Sequence, residues 1–120
     1  MKITKIWIYS STEPEEVETI INQGQKQRTV NFNIEEIPEN DKIGYKWRYE
    51  SVTLEPGIWS YEAIVAALIK AHYTDDEREA IVNNYLADPN AEIAKMEMDD
   101  LQVWRLMAKE IAHDCIGNID

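Results

Sequence analysis

With a single cysteine, Cys115, this 120-residue chain can form no internal disulfide, so its core must be built from apolar packing alone. At 44% hydrophobic residues it is long enough to do that as one domain spanning residues 1 to 120. There is no long apolar run and no charged-then-apolar leader, so the expectation is a cytoplasmic protein that does not enter a membrane. The four glycines never approach a G-x-G-x-x-G or P-loop spacing, and no serine stands in a G-x-S-x-G elbow. Nucleotide-binding and hydrolase readings therefore lack support, and no cofactor is expected.

Positive charge is also scarce: 12 Lys and Arg stand against 23 Asp and Glu, for a formal net charge of −11. The imbalance is concentrated late in the chain. Residues 1 to 58 carry 7 basic and 10 acidic side chains, and residues 59 to 120 carry 5 and 13. Such a balance repels phosphate backbones, so no direct binding of nucleic acid is expected, although a protein that mimics DNA would need this sign.

What is present divides at Pro56-Gly57. Before it, residues 1 to 58 read as strand-rich. Ile3 to Tyr9 is a β-rich run, apolar on both faces in its second half, as an interior strand or one covered by helices would be. Ser10 to Glu16 is a polar break, after which Val17, Ile20 and Ile21 fall at helical spacing and suggest a short helix or an irregular segment. Asn22 to Gln27 reads as a loop. From Thr29 to Glu35 alternation is strict, with Val30, Phe32 and Ile34 sharing one face. Pro38 to Lys42 is a polar turn. A third strand then places Tyr45, Trp47 and Tyr49 on one face, with Val52 and Leu54 in the opposite phase. A bulge near Glu50-Ser51 or a change of pairing partner is needed to bring both sets inward. The last two strands should form a hairpin.

After the switch, residues 59 to 117 read as helical. Ser60 is an N-cap, with Trp59 and Ile64 placed as a hydrophobic staple. Tyr61, Ile64, Val65, Leu68 and Ile69 form the apolar stripe. Thr74 with Glu77 makes a capping box for a helix from Asp75 to about Ala87, with Ile81, Val82, Tyr85 and Leu86 inward. A last helix runs from about Ala91 to Ile116 with Ile93, Leu101, Trp104, Ala108, Ile111 and Cys115 inward, and Gly117 as a left-handed cap. Asp99 and Gln102 are compatible with a break near Met98. The fold class is α+β, a small, mainly antiparallel sheet covered by two or three helices.

Candidate chemistry is thin. His113 and Cys115 are two apart, so on a helix they point about 200° away from each other and cannot share a zinc ion. His72 stands near Asp75 and Asp76 in sequence, as a histidine–carboxylate pair or as part of a polar interhelix turn. Asp75-Asp76-Glu77 and Asp99-Asp100 lack the spacing of a calcium loop and are better explained as helix starts. No catalytic or metal-binding set emerges, and a non-enzymatic protein is expected.

Two surfaces remain. Tyr45, Trp47 and Tyr49 would offer a stacking platform if they faced solvent, but a sheet needs an apolar face and the core is the favoured place for them. Arg105, Lys109 and His113 recur at i, i+4 and i+8 beside Trp104, and neither Arg105 nor Lys109 has an acid three or four positions away. They either complement the helix C-terminus and reach Glu77 and Glu79 of the preceding helix, or form a docking site together with Trp104.

Blocks along nearly the whole chain resemble those of a group of short proteins encoded in phages and prophages of gut bacteria. They include Asn22-Gln23-Gly24-Gln25, Val30-Asn31-Phe32-Asn33, Val52-Thr53-Leu54 with Pro56-Gly57 and Trp59, Asn84-Tyr85-Leu86, and Trp104-Arg105 with Ala108-Lys109-Glu110-Ile111-Ala112. The group carries no established activity or catalytic residues, so the resemblance implies only a setting: an accessory factor of tail or virion assembly, acting on a protein partner or by self-association, in the host cytoplasm or with the virion. An acidic decoy that inhibits a host nucleic-acid-binding protein is the alternative, and a small enzyme the second alternative.

Overall fold

The computed structural model describes residues 6 to 117. Its elements are β1 (Ile8–Ser10), β2 (Val17–Asn22), β3 (Gln25–Glu36), β4 (Trp47–Thr53), α1 (Tyr61–His72), α2 (Asp75–Ala87) and α3 (Glu92–Gly117). The strands form one antiparallel sheet in the order β1-β4-β3-β2, and the helices follow it in sequence, so the fold is α+β. The β3–β4 hairpin is as the alternation predicts. β1 is shorter than its apolar run, and the part of that run at residues 3 to 5 lies outside the described residues. Among the described residues it pairs only with β4, at the edge of the sheet and not in its interior.

The segment expected to be helical or irregular is instead β2. Val17 pairs with Val30, and the register runs without slip to Asn22 opposite Gln25. The two residues between them, Gln23 and Gly24, have φ of 53° and 78°, the mirror-image turn geometry whose twist matches that of paired strands. The spacing of Val17, Ile20 and Ile21 satisfies a helix, but the hairpin turn fixes the chain as extended.

A bulge does occur, but in β3 rather than β4. Phe32 pairs with Glu50 and Glu35 with Arg48, so Asn33 and Ile34 oppose a single residue, and Asn33 takes a left-handed φ of 50°. β4 itself alternates regularly. Glu50, Val52 and Leu54 share the face toward the helices, with Val52 opposite Val30. Trp47 and Tyr49 therefore stand on the other face, outside the core. Ile34, displaced by the bulge, is only half-buried.

The helices start where local chemistry says they should. The Ser60 side chain accepts from the Ala63 N–H, and Thr74 and Glu77 satisfy each other's backbone in a complete capping box. Tyr73 turns extended and donates its N–H to the Ile69 carbonyl, which ends α1 one residue before the next cap. α3 is unbroken through Met98 and spans about 39 Å at 1.5 Å per residue. Gly117 lies inside the helix and is absent from the glycines with positive φ, so it is not a left-handed cap. No helix among the described residues is long and apolar enough to cross a membrane.

The core joins Val30 and Phe32 of β3 and Leu54 to Ile64, Leu68 and Ile69 of α1 and to Leu101, Trp104, Ala108, Ala112 and Cys115 of α3. Ala108 and Ala112 recur one turn apart beside Trp104, small residues that let the α3 backbone approach where the indole fills the remaining space. Three residues expected inside on the helices are out: Tyr61, in the first turn of α1, is 36% exposed, and Leu86 and Ile93, near the α2–α3 turn, are each 69% exposed.

The β2–β3 turn gives a direct check. A Cβ on Gly24 would meet nothing within 4 Å, so substitution there reports backbone conformation alone. Gly24→Val is expected to cost about 1–2 kcal/mol in thermal or urea unfolding, and Gly24→Asn less than half of that. Equal costs would mean that the turn does not hold the left-handed geometry.

Candidate functional site

Of the residues proposed to dock a partner, Trp104 is placed elsewhere: it is 0% exposed, the largest fully buried side chain of the chain. Its indole N–H donates to the Leu68 carbonyl at 2.9 Å, its ring stacks on the His72 imidazole at 3.8 Å with planes 11° apart, and Phe32 lies 5.8 Å away. Trp104 is a core residue for a periodic reason. Leu101, Ala108 and Cys115 fall on the same stripe of α3, and all are buried.

Arg105, Lys109 and His113 are exposed, as their spacing predicts. Arg105 reaches Gln102 Oε1 only at 3.5 Å, and among the described residues neither Arg105 nor Lys109 forms an ion pair, so the expected links to Glu77 and Glu79 are not made. Lys109 and His113 instead border a shallow surface depression with Tyr61, Glu110 and Asp114. On the same outer side of α3, Leu106 stands three residues before Lys109 and seven before His113, with Val103 a further three back. These two apolar side chains are 62% and 44% exposed.

The aromatic row is not a row. Tyr45 precedes β4, is 40% exposed and packs on Tyr9 at 6.0 Å, with the Lys42 ammonium 4.0 Å from the Tyr9 ring centre. Trp47 and Tyr49 are half-buried on the sheet face opposite Glu50. The reading that assigned all three to the core is overturned by the phase of β4.

His72 is also re-partnered. It ends α1 and faces inward, and its carboxylate is Glu50 of β4, not Asp75 or Asp76: Nε2 lies 2.8 Å from Glu50 Oε1, with both residues only 7% exposed. The other oxygen, Oε2, accepts from Asn33 Nδ2 at 2.6 Å, and the left-handed bulge is what turns Asn33 toward it. A carboxylate oxygen accepts, so Nε2 donates to Glu50, and Nδ1 has no hydrogen-bond partner. This polar chain links β3, β4, α1 and, through the ring stack, α3.

A cavity of about 310 Å³ lies between β3 and the last turns of α3, lined by Asn31, Asn33, Glu16, Glu110, Asp114, Cys115 and apolar neighbours. It shares Asn33 with the polar chain but not His72, so the histidine does not open onto it. Burial, then the charges of Glu16 and Asp114, pushes the Cys115 thiol up to about 11, so it stays protonated at neutral pH. Cys115 is buried and His113 exposed, as their two-residue spacing requires. No group of three or more His, Cys, Asp or Glu among the described residues could hold a metal ion.

The signal for the buried pair was present but misleading: Glu50 in an alternating strand reads as a solvent-facing residue, and its partner lies 22 positions away. Compared with protein-family models, curated proteins and solved structures, the chain finds no match.

The buried pair yields a double-mutant cycle. His72→Leu and Glu50→Leu should each destabilise the fold by about 3 kcal/mol, because each leaves a buried polar group short of a partner, while the double variant should cost at least 1 kcal/mol less than the sum. Additive losses in urea unfolding would show that the two side chains are not coupled.

Proposed function

We propose that this chain is a non-enzymatic interaction protein of a phage or prophage, an accessory factor of tail or virion assembly, and that it docks its partner through the outer face of α3. One observation carries the reading: exposed Leu106 lies beside Lys109 and His113, with Val103 on one flank of this strip and Arg105 on the other, a mixed apolar and cationic surface without ion pairs to Arg105 or Lys109. A patch of this composition fits an amphipathic partner segment with acidic side chains, whose apolar residues cover Leu106 and whose carboxylates meet the cations. In a chain of net charge −11, Arg105 and Lys109 give an acidic partner cations that are not already paired. The proposed setting is the host cytoplasm, or the virion if the complex persists, and it rests on the sequence resemblance.

The decoy reading needs carboxylates in a continuous ridge at phosphate-like spacing. On the outer face of α3, Val103 and Leu106 separate Asp99 from Glu110, which favours the assembly reading. An enzyme would need His72 and Glu50 to reach a substrate. Their burial does not favour that.

Arg105→Glu with Lys109→Glu should abolish recovery of virion components on affinity purification from prophage-induced cells. The melting temperature should change by no more than about 1–3 °C, since surface charges contribute little to stability. Retention of the same partner by the double variant, or recovery of a host nuclease or polymerase in its place, would count against the proposal.

A further inference from the structure

β2 is the last strand of the sheet, and among the described residues nothing pairs with its outer side. The edges of monomeric sheets are usually blunted by charge, proline or a bulge. β2 has no proline and no bulge, and its one charge, Glu18, belongs to a residue whose backbone bonds β3. The closing pair Asn22–Gln25 of the two-residue turn and the bond from the Asn31 N–H to the Glu16 carbonyl at 2.8 Å fix the phase of the ladder. Glu18, Ile20 and Asn22 spend their backbone groups on β3. Val17, Thr19 and Ile21 therefore point theirs away from the sheet, and none of these three residues is charged. Two isoleucines, Ile20 and Ile21, stand 60% and 68% exposed on opposite faces of this edge.

We propose that the occupant of this edge is a second copy of the chain, its β2 antiparallel to the first about a two-fold axis at Thr19. That register matches all the outward groups at once. Thr19 faces Thr19 of the second copy, and Val17 faces its Ile21 on the helix side of the sheet, so each exposed Ile21 is covered by a valine. On the other side Glu18 faces Ile20, and no like charges lie directly across the seam. The self-complementarity of the uncharged outward-bonding residues Val17, Thr19 and Ile21 is what selects a second copy over a charged peptide. A single six-residue edge is smaller than the interface of a permanent dimer, so the association is reversible and depends on concentration. This surface is separate from the α3 strip and goes beyond the assembly reading.

The test is sedimentation equilibrium of the full chain up to about 1 mM, in moderate salt that screens the net charge. A monomer–dimer equilibrium is expected. Thr19→Pro should weaken it at least tenfold while leaving the melting temperature nearly unchanged, because the lost N–H is one that β3 does not use. If that variant fails to fold, cysteine pairs decide the matter, the buried Cys115 being replaced by Ala in each. Thr19→Cys should cross-link to itself on oxidation, Val17→Cys should cross-link to Ile21→Cys in mixed samples, and Ile20→Cys should not self-link. A chain that stays monomeric throughout, a dimer indifferent to Thr19→Pro, or self-linked Ile20→Cys would each overturn the proposal.

Discussion

The stack of Trp104 on His72 is the contact from which most of the structure follows. It ties the middle of α3 to the end of α1, and because His72 also bonds Glu50, it ties both helices to the centre of the sheet. The indole leaves no polar group unanswered, since its N–H reaches the Leu68 carbonyl. Four elements thus meet within a few ångströms around one buried aromatic ring. A buried histidine–carboxylate pair is an expensive way to hold a core together, and its usual return is specificity: one register of β4, one rotation of α1 and one placement of α3 satisfy it together.

The same contact explains which surfaces are left over. By drawing Glu50 inward, it sets the phase of β4 and sends Trp47 and Tyr49 to the opposite face. By drawing Trp104 inward, it rotates α3 so that Val103, Leu106, Lys109 and His113 face out. The bulge at Asn33 belongs to this arrangement too, because it supplies the amide that holds the second oxygen of Glu50. The exposed strip of α3 is a consequence of core geometry and not an independent feature.

How far the sequence reveals this depends on the range of the interaction. The caps at Ser60 and Thr74 are legible because each is a bond across three residues, and the β3–β4 hairpin because the alternation from Thr29 is followed by a polar turn and a second strand-like run. β2 is hidden because Gln23 is an unusual residue for a left-handed turn position, while Val17, Ile20 and Ile21 fit a helical period equally well. The parity slip in β4 is visible in the sequence, but its cause is not. A regular strand with a glutamate inside it looks, from composition, like a strand with a bulge. Of the candidate docking residues, the exposure of Arg105, Lys109 and His113 is legible from spacing alone, and so is the burial of Trp104, which shares the inward stripe of Leu101, Ala108 and Cys115; its place on that stripe is incompatible with its being offered to a partner.

Hydrogen exchange at the Trp104 indole N–H, followed by NMR, tests the role of this residue most directly. If the stack is the pin of the fold, the proton should exchange only through global unfolding, with an opening free energy equal to that measured by urea. Exchange through a low-energy local opening, at the rate of exposed turns, would mean that Trp104 is available at the surface and that the fold does not depend on it.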